Sequence, residues 1–185
     1  MRTHFVSESS CRSVFLLLGL FAAMYPGPVF GQTATNPSPW LAWQFLLGEW
    51  SGEGGGQPGQ GVGTFAFRTD LQGAVLVRSN HSDFPASEGR PAYSHDDLTV
   101  IYPEPGKPTK AVYFDNEGHV IHYTTEFSPD SNAVVFLSEP TPGAPRFRLT
   151  YEKKKEGLVE IRFDIAPPGK PESFTQYIKA DAHRK

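Results

Sequence analysis

An all-β fold, a closed antiparallel meander barrel of about ten strands with a short N-terminal helix, is predicted by three features of the sequence. Ten short stretches read as strands, many with period-2 alternation of apolar and polar residues. Only one segment, directly ahead of the first stretch, looks helical. The connections between stretches are short and rich in Gly and Pro, with 18 and 17 of each in the chain, which suits many small elements joined by turns. Ten successive antiparallel strands would leave a long free edge, and closing the sheet removes it.

The elements follow in order. Ser38-Pro39 reads as a cap followed by proline at a first helical position, and Trp40, Leu41, Trp43, Phe45, Leu46 and Leu47 continue to Gly48. The predicted strands are Glu49–Glu53, Val62–Asp70, Ala74–Asn80, Asp97–Tyr102, Lys110–Phe114, His119–Phe127, Ala133–Leu137, Arg146–Lys153, Leu158–Ala166 and Ser173–His183. Phe147, Leu149 and Tyr151 alternate with Arg146, Arg148 and Thr150, as one buried and one solvated face require. Asp115 to Gly118 is a tight hairpin turn ending in glycine. In a meander, every odd-to-even connection lies at one end. The longer connections fall there, so that end is predicted to be the open mouth, with the helix plugging the other.

Several classes are excluded. A charged fraction of 20% with 13% aromatics does not suit a disordered chain. A formal net charge of -3 leaves no basic surplus for nucleic acid. Residues 1–31 read as a cleavable signal peptide. Arg2 and Arg12 give a positive N-region ahead of a ten-residue apolar run, Val14 to Ala23, and Val29-Phe30-Gly31 supplies small residues for cleavage. The run is shorter than the ~20 residues of a membrane span, so no stable anchor is expected after cleavage. A short polar lead, 32–38, and one barrel domain, 39–185, then remain, and the protein is expected to be secreted or periplasmic. The single cysteine, Cys11, precedes the run, which leaves the exported part without disulfides or thiolate chemistry.

Gly48-Glu49-Trp50, opening the first strand after the helix, is the Gly-x-Trp pattern of the calycin and lipocalin barrels. The longer run Leu46 to Gly56 resembles nitrobindin, a haem-binding ten-stranded barrel. Thr175, Tyr177, Ile178, Ala180 and Arg184 are similar in spacing to its last strand. The resemblance covers about 25 residues at the two ends. It implies barrel closure by Gly48, Trp50 and Arg184, with the guanidinium stacked on the indole. It also implies ferric haem as cofactor, with nitric oxide and peroxynitrite chemistry. The histidine that holds iron in that family falls here on Tyr177, a residue type that can ligate ferric haem.

Read from the residues alone, Tyr113, His119, His122 and Tyr123 flank one hairpin and form candidate walls of a ligand pocket, joined by Tyr177. The same hairpin also reads as ordinary packing. His119 and His122, three apart on a strand, point to opposite faces and cannot share one metal ion. Ser94-His95-Asp96-Asp97 has the residue types of a hydrolase triad but reads better as a polar loop entering a strand. No catalytic residue and no metal site is assigned. The expected function is binding of a small apolar or amphipathic molecule in the lumen. The 14 Phe, 7 Tyr and 3 Trp are also enough to fill a narrow barrel that binds nothing.

Overall fold

The computed structural model describes residues 38–185; the expected signal peptide, Cys11 and nearly all of the polar lead lie outside the described residues. Ten antiparallel strands form a closed meander: β1 (Gly48–Gly56), β2 (Gly61–Asp70), β3 (Val75–Phe84), β4 (Tyr93–Tyr102), β5 (Lys110–Asp115), β6 (Val120–Phe127), β7 (Ala133–Ser138), β8 (Arg146–Lys155), β9 (Leu158–Ala166) and β10 (Thr175–Arg184). Each strand pairs with its chain neighbours, and β1 closes on β10 through Trp50 opposite Arg184, Gly52 opposite Ala182 and Gly54 opposite Ala180. The predicted fold class is therefore found.

The N-terminal segment departs from expectation. In place of an α-helix there is one 3-10 turn, Leu41–Trp43. Ser38 Oγ does accept from the Trp40 amide at 3.2 Å. The segment is too short for a helix to hold itself. Its conformation is decided by where the tryptophans bury: Trp40, Trp43 and Leu46 are fully buried. Trp40 Nε1 donates to the Gly73 carbonyl at 2.7 Å, which pins the turn to the β2–β3 connection.

Trp43 fills the barrel end. Its ring packs edge-on against Phe127 and Phe136, at 5.1 and 5.7 Å between centroids, and tilts against Phe67. Above it, Trp50 stacks on Phe65, and Tyr151 reaches across to Phe65 and Phe67. Buried aromatic area of this kind dominates core energetics. Gly48 makes the sharp entry into β1 at φ +107, where a side chain would be strained and would meet Arg184. Arg184 donates to the carbonyls of Phe45 and Leu47, and its guanidinium lies 4.4 Å from the centroid of the Trp50 ring. Trp50 Nε1 donates to the Leu46 carbonyl at 2.8 Å. The plug, the first strand and the last strand are thereby joined in one hydrogen-bonded unit.

Candidate functional site in the upper lumen

The opposite half of the barrel has two unlike walls. On β3, Leu76, Arg78, Asn80 and Ser82 share the inner face, and their register partners on β4 are Ile101, Thr99, Asp97 and His95. On β5, Ala111, Tyr113 and Asp115 continue the row, opposite Ile101, Thr99 and Asp97. This wall is polar from Arg78 upward. Across from it, the inner faces of β8, β9 and β10 present Phe147, Leu149, Ile161, Phe163, Ile178 and Ala180, all half-buried. Between the two walls, Gly52 and Gly54 of β1 and Gly61 and Gly63 of β2 present bare backbone to the lumen.

These glycines are required by close approach. A Cβ at Gly54 would sit 2.4 Å from the Ala180 Cβ, one at Gly63 would sit 2.7 Å from Ser82 Oγ, and one at Gly61 would meet the Phe84 ring. A void of about 100 Å³ remains, bounded by this glycine wall, Phe65 below, Ile161, Ile178 and Ala180 on one side, and Asn80 and Ser82 on the other. A broader, open hollow of about 470 Å³ continues at the rim beside the stacked pair Phe84 and Tyr93.

The polar wall is a connected network. Arg78 and Asp97 form an ion pair whose side chains are 8% and 5% exposed. Arg78 also lies against the faces of Phe65 and Tyr151. Asn80 Nδ2 donates to Asp97 Oδ2 at 3.0 Å and to Ser82 Oγ at 3.2 Å. His95 Nε2 is 3.0 Å from the Tyr113 hydroxyl and 3.6 Å from Asp97 Oδ2, and Nδ1 is 3.0 Å from Glu117 Oε1. The Tyr113 hydroxyl donates to Asp115 Oδ2 at 3.1 Å, and that oxygen is 2.8 Å from His119 Nδ1.

The electrostatics follow from this arrangement. Asp97, with Glu117 behind it, raises the His95 pKa to about 9 against the opposing effect of burial, so the imidazole is charged at neutral pH. Burial, reinforced by Asp97, pushes the Tyr113 and Tyr123 phenols well above their ordinary value, and burial pushes Tyr151 up to about 12. All three phenols are neutral at neutral pH, and of them Tyr113 is the one hydrogen-bonded into the network.

The sequence-selected residues are placed as follows. Tyr113 and Tyr123 face the lumen, with rings edge-on at 6.5 Å. His119 stands exposed at the end of the hairpin turn, against Asp115. His122 is exposed on the outer face, its row neighbour on β5 being Val112. Tyr177 is half-buried at a bulge in β10, edge-on to Phe163 at 6.2 Å, and its carbonyl accepts from the Gln57 amide at 2.8 Å. The lumen thus brings Tyr113 and Tyr123 together; His122 points away from both.

The sequence reading did not select Arg78, Asn80, Asp97 or His95. The signal was present in β3, where Arg78, Asn80 and Ser82 alternate in step with Leu76. Asn80 also heads the glycosylation-type triplet Asn80-His81-Ser82, and its amide is committed inside the barrel. His95 and Asp97 of the triad-like run do face the same network, whereas Ser94 points outward and donates to Asp83 at 2.6 Å.

Pockets for drug-sized ligands measure roughly 300–1,000 Å³, and the void is about 100 Å³. Tyr177 leans on Phe163 at the rim. The void as folded is too small to hold a tetrapyrrole. Among the described residues, no helix is long and apolar enough to cross a membrane. The fold is a closed ten-stranded antiparallel meander barrel, an architecture compatible with a calycin-like fold. No protein-family model matches the chain, and no significant match is found among curated proteins.

Proposed function

We propose that this is an exported barrel that binds a small apolar or amphipathic molecule in its upper lumen. One observation carries the reading: a glycine-walled void lies between a half-buried apolar wall on β8–β10 and a hydrogen-bonded polar wall on β3–β5. Burying apolar ligand surface there is worth ~25 cal/mol per Å². The lower lumen is filled by Trp43, Trp50 and their aromatic neighbours, so the ligand is confined to the upper half. The signal-like residues 1–31 support export, and the nitrobindin-like ends support the reading as far as the barrel.

The test is saturation-transfer NMR with a panel of small apolar and amphipathic molecules, on the full chain and on Ala180→Leu. Leucine at 180 fills the void, and overpacking of this kind costs about 1–3 kcal/mol, which a folded barrel tolerates. Saturable binding that Ala180→Leu abolishes is expected. Failure of every panel member to bind would favour a filled barrel with a structural role. Equal binding by both proteins would move the site elsewhere.

A further inference from the structure

From the polar groups left unspent at the void, we infer that the lumen selects a compact, electrically neutral ligand carrying one hydroxyl, and rejects carboxylates and amines of the same size. The inference rests on the binding reading above and names the class of ligand.

Size comes first. A dry apolar cavity of about 150 Å³ takes one benzene, and the void is about 100 Å³. The part of a ligand seated in the void is thereby limited to about one ring or a short chain. Phe65, Ile161, Ile178 and Ala180 surround that part, and the four glycines let it lie against strand backbone.

Charge comes next. Three polar side chains line the void: Asn80 and Ser82 on the inner face, and Glu53, which stands exposed on the outer row of β1 opposite Val62. Both amide hydrogens of Asn80 are directed at Asp97 and Ser82, which leaves its Oδ1 as an acceptor. Ser82 Oγ accepts from Asn80, which leaves its own O–H as a donor. One acceptor beside one donor is the complement of a hydroxyl group. The nearest full charges on the inner face are already matched. Asp97 Oδ1 takes Arg78, and Oδ2 takes Asn80 with His95 close by. A ligand carboxylate would face Asn80 Oδ1 with no free cation behind it. A ligand ammonium would find Asp97 already paired. Either would be desolvated without compensation.

The experiment measures affinities of phenol, toluene, benzoate and benzylammonium at pH 7 by ligand-observed NMR, on the full chain and on Ser82→Ala. Phenol is neutral at that pH, having the ionisation range of a tyrosine side chain, ~10. Phenol is expected to bind roughly tenfold tighter than toluene and at least about tenfold tighter than either ion. Ser82→Ala is expected to lower phenol affinity about fivefold and to leave toluene unchanged, a pattern that general loss of structure would not produce. Benzoate or benzylammonium binding as tightly as phenol would overturn the inference and leave the binding reading standing. Equal binding of phenol and toluene would overturn the hydroxyl assignment. If none of the four binds, the inference fails, and the broader panel with Ala180→Leu decides separately whether the lumen binds anything.

Discussion

The two ends of the barrel solve opposite problems with the same strands. At the plugged end, inner positions carry Trp43, Trp50, Phe67, Phe136 and Tyr151, each at most 1% exposed. At the mouth, the same rows continue as Gly52, Gly54, Gly63 and Ala180, or as half-buried Ile161 and Phe163. The Arg78–Asp97 pair marks the change from one regime to the other. Stability is concentrated below it and space is kept above it. The glycines on facing positions of β1 and β2 let these strands approach β10 and β3 closely at the mouth, and they leave that half without the side chains that fill the plugged end.

That contrast can be broken most sharply at the boundary. Arg78→Met leaves Asp97 buried without its partner, and a loss of about 3–5 kcal/mol in urea unfolding is expected. Adding Asp97→Leu is expected to restore most of it, because the penalty is that of an orphaned charge. Next comes a pair of truncations. Trp43→Ala is expected to cost about 3–5 kcal/mol. Ile161→Ala, which removes a half-buried mouth residue, is expected to cost about 1–2 kcal/mol. Equal costs would contradict the division of labour. Arg184→Ala removes the stack on Trp50 and two carbonyl contacts, and a loss of about 1–3 kcal/mol is expected, with a shift in tryptophan emission.

The smallest effect concerns pH. The folded His95 pKa of about 9 lies above the ordinary imidazole value of ~6.5, so the folded protein binds this proton more tightly than the unfolded chain. Its contribution is whole below pH ~6.5 and is lost as the pH rises through 9. The ring is 24% exposed, and about 1–2 kcal/mol is expected after solvent screening. His95→Gln is expected to flatten the decline in stability between those pH values. An unchanged slope would mean that other groups cause it.

Fold and site were legible to different degrees, for one physical reason. Strand count, meander order and the mouth end follow from alternation and connection length, and the barrel has them. The facing of β4 and β5 does not follow. Leu98, Val100, Val112 and Phe114 look like the buried rows, yet Leu98 and Phe114 are more than 40% exposed. The lumen instead receives Asp97, Thr99, Tyr113 and Asp115. A polar lumen inverts the usual rule that the more apolar face points inward, and alternation alone cannot choose between two faces that are both partly apolar. For the same reason, which side of β6 carried the pocket had to come from register, with Tyr123 inside and His122 outside.

The most direct test of the account is an amide chemical-shift map of the full chain titrated with phenol. Saturable shifts confined to Gly52, Gly54, Gly61, Gly63, Ser82 and Ala180, with the Trp43 indole unmoved, are the predicted result. Shifts centred on the outer face of β4–β6, or no saturable shifts at all, would contradict the claim that the upper lumen is the binding site.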